Sequence, residues 1–142
     1  MVNNEKILQD IVRSTQMGQS GIDAVLDKVA QPTLRLALKS QRKEYGEIQH
    51  QAEKLASQKG CAIQTAEPLT DKLAAIGARG KLLAGDKDAK IAGMMILGST
   101  RGMIQSRHNL HACKNADSEV TRLVRKLLET EDRNIRQMEP YL

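Results

Sequence analysis

At 142 residues, with 22 Lys and Arg against 17 Asp and Glu and with no Phe or Trp, the chain has the size of one domain (1–142), and its core must come from Leu, Ile, Val, Met and Ala. That composition disfavours a sheet, two cysteines are too few for a disulfide framework, and no segment nears the ~20 apolar residues of a membrane helix. A charge of +5 attracts acidic surfaces, but basic and acidic residues are interleaved along the helices and stacking aromatics are missing, so neither nucleic acid nor membrane is an expected partner.

The opening MVNNEKILQD is polar and unlike a leader, which points to a cytoplasmic protein with two reduced thiols, Cys61 and Cys113. Asn3 or Asn4 caps a first helix predicted to reach about Ala30, with an inward seam of Leu8, Ile11, Thr15, Gly18, Ile22, Val25 and Val29. Pro32 then opens a second helix that runs to a glycine stop at Gly60, its seam being Leu34, Leu38, Gln41, Tyr45, Ile48, Ala52 and Leu55. So short a connection requires an antiparallel hairpin. Pro68 opens a shorter helix with seam Leu69, Leu73, Ile76, Gly80 and Leu83, and Gly85 ends it. Asp86 or Asp88 caps a third long helix to about Lys114, with an expected seam of Ile91, Met95, Gly98, Gly102, Gln105, Asn109 and Ala112. Asp117 or Ser118 caps the last helix, whose seam is Val120, Val124, Leu127, Glu131, Asn134, Met138 and Tyr141.

These elements predict an all-α, antiparallel four-helix bundle with a short fifth helix crossing over between the second and third long helices. The short helix carries the chain back along the bundle, so the second and third long helices run parallel, and Cys61 and Cys113 fall at the same end.

The phrases Ser14-Thr15-Gln16-Met17-Gly18, Gln41-Arg42-Lys43-Glu44-Tyr45, Leu97-Gly98-Ser99-Thr100-Arg101-Gly102 and Leu127-Leu128-Glu129-Thr130-Glu131-Asp132-Arg133-Asn134-Ile135 resemble the ferritin-like superfamily, and within it a bacterial group of small four-helix proteins. Metal-binding members hold two iron or manganese ions with a Glu from each of two helices and a Glu-x-x-His pair from each of the other two. Here the last helix offers Glu131-x-x-Asn134 and the second Gln41-x-x-Glu44, with no inward histidine. So few hard ligands make the di-metal site degenerate, and no metal or other cofactor is expected; if iron or manganese binds, Glu44 and Glu131 are the ligands.

The inward polar layer, taken as Thr15, Gln41, Glu44, Tyr45, Gln105, Glu131 and Asn134, is the candidate binding site. Its structural reading makes Glu131 an acceptor for Tyr45, Gln41 or Asn134, a layer that fixes helix register. Small residues at the same height (Ser14, Thr15, Gly18 and Gly21; Gly98, Ser99 and Gly102) mark close packing or, alternatively, a small-ligand gap. His108 and His111 complement the negative end of the third long helix rather than form a zinc site with Cys113. Ile91 to Leu97 is apolar nearly all round and needs cover, from the short helix or from self-association. Nucleophile and phosphate motifs are wanting, so an enzyme is not expected. The function expected is association, as a homo-oligomer or with a protein partner. Metal handling and small-ligand binding are the alternatives.

Overall fold

The computed structural model describes residues 4–64, 87–113 and 116–142. Four helices account for most of them: α1 (Asn4–Val25), α2 (Pro32–Gln58), α3 (Lys87–Ala112) and α4 (Ser118–Met138). Short 3-10 turns follow α1 at Leu26–Lys28 and α4 at Glu139–Tyr141. The expected short helix from Pro68 to Leu83 lies outside the described residues.

The first helix stops sooner than its pattern suggested. Pro32 disfavours helical backbone at the residue before it, and Gln31 is extended (φ −78°, ψ 124°), as is Val29. The amides freed in this turn find Asp88: Ala30 and Gln31 donate to its Oδ1 and Oδ2, each at 2.9 Å. Asp88 therefore lies in the first turn of α3 and caps the α1–α2 turn. Asp117 likewise stands at the N-cap position of α4 without a capping bond from its side chain. It accepts instead from Lys59 Nζ at 2.6 Å and Asn4 Nδ2 at 3.2 Å.

The expected stop at Gly60 is built from its positive φ of 66°. Cys61 N donates to Ala56 O at 2.8 Å and Gly60 N to Ser57 O at 3.3 Å, the paired bonds that close a helix around a left-handed glycine.

Contacts between side chains fix the topology. Asp88 and Ala30 bring the start of α3 to the α1–α2 turn, and Tyr141 Oη, donating to Thr33 Oγ1 at 2.9 Å, brings the end of the chain there too. At the other end, Asn4, Lys59 and Asp117 unite the start of α1, the end of α2 and the start of α4. Hence α2 and α3 run parallel, and Cys61 and Cys113, both free, share one end. The molecule is two antiparallel hairpins joined by one crossover, the ferritin-like connectivity. Around the bundle the order is α1, α2, α4, α3, with α2 and α3 diagonal.

The core is aliphatic: Leu8, Ile11, Ile22, Leu34, Leu38, Ile48, Val120 and Val124 are fully buried. Burial follows the expected seams in α1, α2 and α4. In α3 it follows Asp88, Ile91, Ala92, Ser99, Gly102, Ser106 and Asn109, and just past the helix Cys113 continues the same stripe. Gly98, Gln105 and Ala112 are thus each one residue from the true inward position. The apolar run that ends at Leu97 is partly covered by the chain's own C-terminus, since Leu142 Cδ2 lies 3.8 Å from where a Cβ on Gly93 would stand.

Candidate functional site

At mid-length the four helices bring polar groups into a layer that the aliphatic seams leave dry. Tyr45 of α2 turns inward and donates its hydroxyl to Glu131 Oε1 of α4, a buried hydrogen bond. Ser99 Oγ of α3 lies 3.4 Å from the same hydroxyl. Tyr45 and Glu131 are 5 % and 3 % exposed, so water contributes little to either group.

Two glycines make room for this pair. A Cβ on Gly18 of α1 would stand 2.6 to 2.9 Å from three atoms of the Tyr45 ring, nearer than real Cβ atoms approach. A Cβ on Gly102 of α3 would overlap the Glu131 carboxylate. The glycines open space as the sequence suggested, but side chains from the facing helices fill it. Gly21 and Gly98 meet nothing within 4 Å, so neither belongs to this arrangement.

The electrostatics follow from burial. Desolvation raises the Glu131 carboxyl to about 7, against the opposing pull of the Tyr45 hydrogen bond. The Tyr45 hydroxyl is pushed well above the ordinary phenol range, first by burial and then by the neighbouring carboxylate charge. The pair can therefore take up or release one proton near neutrality, and Glu131 is the group that does so.

The other expected members occupy different settings. Thr15 is buried and spends its hydroxyl on its own helix, donating to Ile11 O at 2.8 Å and lying 3.0 Å from Val12 O. Gln41, one turn from Tyr45, donates to Gln137 Oε1 of α4 at 2.9 Å. Asn134 is 1 % exposed and lies beside the Tyr45 hydroxyl, yet among the described residues neither of its amide atoms has a hydrogen-bond partner of good geometry. Glu44 and Gln105 correct the expected layer. Glu44 turns outward and accepts from Arg133 Nη2 at 2.6 Å, and half-buried Gln105 bridges Asp10 of α1 and Asn109 at the edge of the bundle. Ser99 was the member missing from the expected set, although its spacing of three from Gly102 places it on the same face.

This donor set does not fit a di-metal centre. Glu131 faces Tyr45, Glu44 faces Arg133 on the outside, and the position three after Glu131 carries an amide. Among the described residues no group of three His, Cys, Asp or Glu side chains is arranged to hold an ion. His108 and His111 are exposed while Cys113 is buried, so the three do not converge; burial pushes the Cys113 thiol up, with Thr121 opposing.

The surface of α3 also departs from the sequence reading. Its single acid, Asp88, is buried, so Arg101 and Arg107 stand on a helix with no acidic surface residue, and the signs are not interleaved here. Leu97 and Ile104 lie on the same stripe, 66 % and 63 % exposed.

No helix among the described residues is long and apolar enough to cross a membrane. No family model matches the chain, and no curated protein does. Among solved structures, the crystal structure of a DUF305 fragment from Deinococcus radiodurans is similar, with a TM-score of 0.77 at 18 % identity over 99 % of this chain and 95 % of that one, a likeness that shows the all-helical bundle fold.

Proposed function

We propose that this chain is a non-enzymatic member of the ferritin-like superfamily that works by association, with itself or with a protein partner, and that its central polar layer is structural. The superfamily reading rests on the crossover connectivity and on the bundle likeness. The observation that carries the functional reading is the exposure of Leu97 and Ile104, one heptad apart on α3. Exposed large aliphatic side chains that share one helix face mark an association surface when they join into a contiguous patch. Met17, 47 % exposed on α1, shares a helix face with Asp10, which reaches α3 through Gln105, so it extends the same apolar side.

The filled interior supports this reading over interior chemistry. A small ligand would have to displace the Tyr45 ring or the Glu131 carboxylate, and metal handling would require Glu44 to leave Arg133 and turn inward. Sedimentation velocity over a concentration series tests the association. Wild type is expected to gain mass above the 15.7 kDa of one chain, and L97S/I104S to remain at that mass. A wild-type chain that stays monomeric throughout would sink self-association, and equal gain of mass in both would remove α3 as the surface.

A further inference from the structure

On the side of the bundle away from the α3 stripe, α2 and α4 leave a groove of about 410 Å³. It lies within the roughly 300–1,000 Å³ of binding pockets. One matching stripe of each helix lines it: Gln51, Lys54, Leu55 and Gln58 from α2, and Glu119, Arg122, Leu123 and Lys126 from α4. The spacing of three, four and seven puts each set on one face. Leu123, buried, and Leu55, half-buried, make an apolar floor under cationic stems.

The cations here have little to neutralise them. Lys54 and Arg122 have no ion-pair partner among the described residues, and Lys126 reaches only the neutral Gln51 Oε1, at 3.4 Å. Among the described residues the lining has one acid, Glu119, which lies 3.6 Å from Lys59 outside it. Three cations against one already engaged acid make the groove electropositive around an aliphatic centre.

We propose that this groove docks an acidic peptide segment of a partner protein, one that presents an aliphatic side chain with carboxylates about one helical turn to either side. The aliphatic residue packs on Leu55 and Leu123, and the carboxylates meet Lys54, Arg122 and Lys126. From Gln51 to Gln58 the groove spans about 10 Å at 1.5 Å per residue, the length of two helical turns, which suits such a segment. Charge complementarity sets its selectivity and its encounter rate. This surface is independent of the α3 stripe, and either can fail alone.

The test is an NMR titration of the full-length, isotope-labelled chain with synthetic helical peptides carrying Glu, Gln or Lys around a central Leu. The Glu peptide is expected to shift Gln51, Lys54, Leu55, Gln58, Arg122, Leu123 and Lys126, with an affinity that falls as salt is raised; the Gln and Lys peptides should leave them in place. K54E/R122E/K126E, checked for unchanged helicity, should weaken the Glu peptide by at least about tenfold, and the milder K54Q/R122Q/K126Q by less. Equal binding of the three peptides, unchanged affinity in both variants, shifts mapping to α3, or occupation of the groove by a second copy of this chain would each overturn the proposal.

Discussion

The carboxylate of Glu131 occupies the volume in which any side chain at Gly102 would have to begin. Gly102→Ala gains up to about 1 kcal/mol of helix propensity but forces Glu131 away from Tyr45 in a packed interior, where overpacking costs roughly 1–3 kcal/mol. Net destabilisation is expected in chemical denaturation. In a Glu131→Ala background the same change should cost far less, giving a coupling of at least about 1 kcal/mol in the double-mutant cycle. Additive effects would show that the two residues do not share that space.

Gly98→Ala and Gly21→Ala supply the contrast. Both glycines are helical and meet nothing within 4 Å, so each alanine should stabilise by roughly 0.5–1 kcal/mol. Gly18→Ala, which strikes the rigid Tyr45 ring, should destabilise. Melting temperatures of the three variants check the ordering.

Acidity around Glu131 predicts an unusual dependence on pH. Its carboxyl is raised from 4.5 to about 7 in the folded chain, so the fold binds the proton more tightly than the unfolded chain does. Below the unfolded value both states are protonated and the group adds no dependence on pH. Stability then falls as pH rises through this interval and levels off above about 7, at a total of about 3 kcal/mol for a difference of that size. Glu131→Gln should remove the slope and be the more stable protein at pH 8. Denaturation of both at pH 5 and pH 8 measures it, and parallel curves would contradict the burial argument.

Asp88 titrates in the opposite sense. Burial alone would raise its carboxyl, but the amides of Ala30 and Gln31, with the Arg35 charge, hold it below the ordinary value. Its contribution is present above the unfolded value and lost on acidification below it. Asp88→Ala should cost about 1.5–3 kcal/mol, the range for hydrogen bonds to a charged acceptor, and should speed hydrogen exchange at the Ala30 and Gln31 amides. Unchanged exchange there would exclude the cap.

Much of this was legible before any coordinates. In α1, α2 and α4 the aliphatic seam contrasts with charged flanks, so three-and-four spacing alone selects the buried face, Glu131 included. In α3 the stretch from Ile91 to Leu97 is apolar on every side and the next residues are small, so the pattern carries no contrast. The reading then fell on Gly98 and Gln105, where the structure buries Ser99 and Ser106. Glu44 failed for a related reason: it sits one residue from Tyr45, about a quarter-turn round the helix, and Arg133 waits outside. The pairing of Glu131 with Tyr45 was one of three partners its chemistry allowed. Only the facing glycines, which single out the bulky pair, decide among them.

Asp88 and Asp117 each open a helix of the second hairpin, and each fastens onto the first hairpin at an opposite end of the molecule. Sliding one hairpin along the other by a single turn, about 5.4 Å, would unfasten both together, so the two halves have one alignment in which to meet.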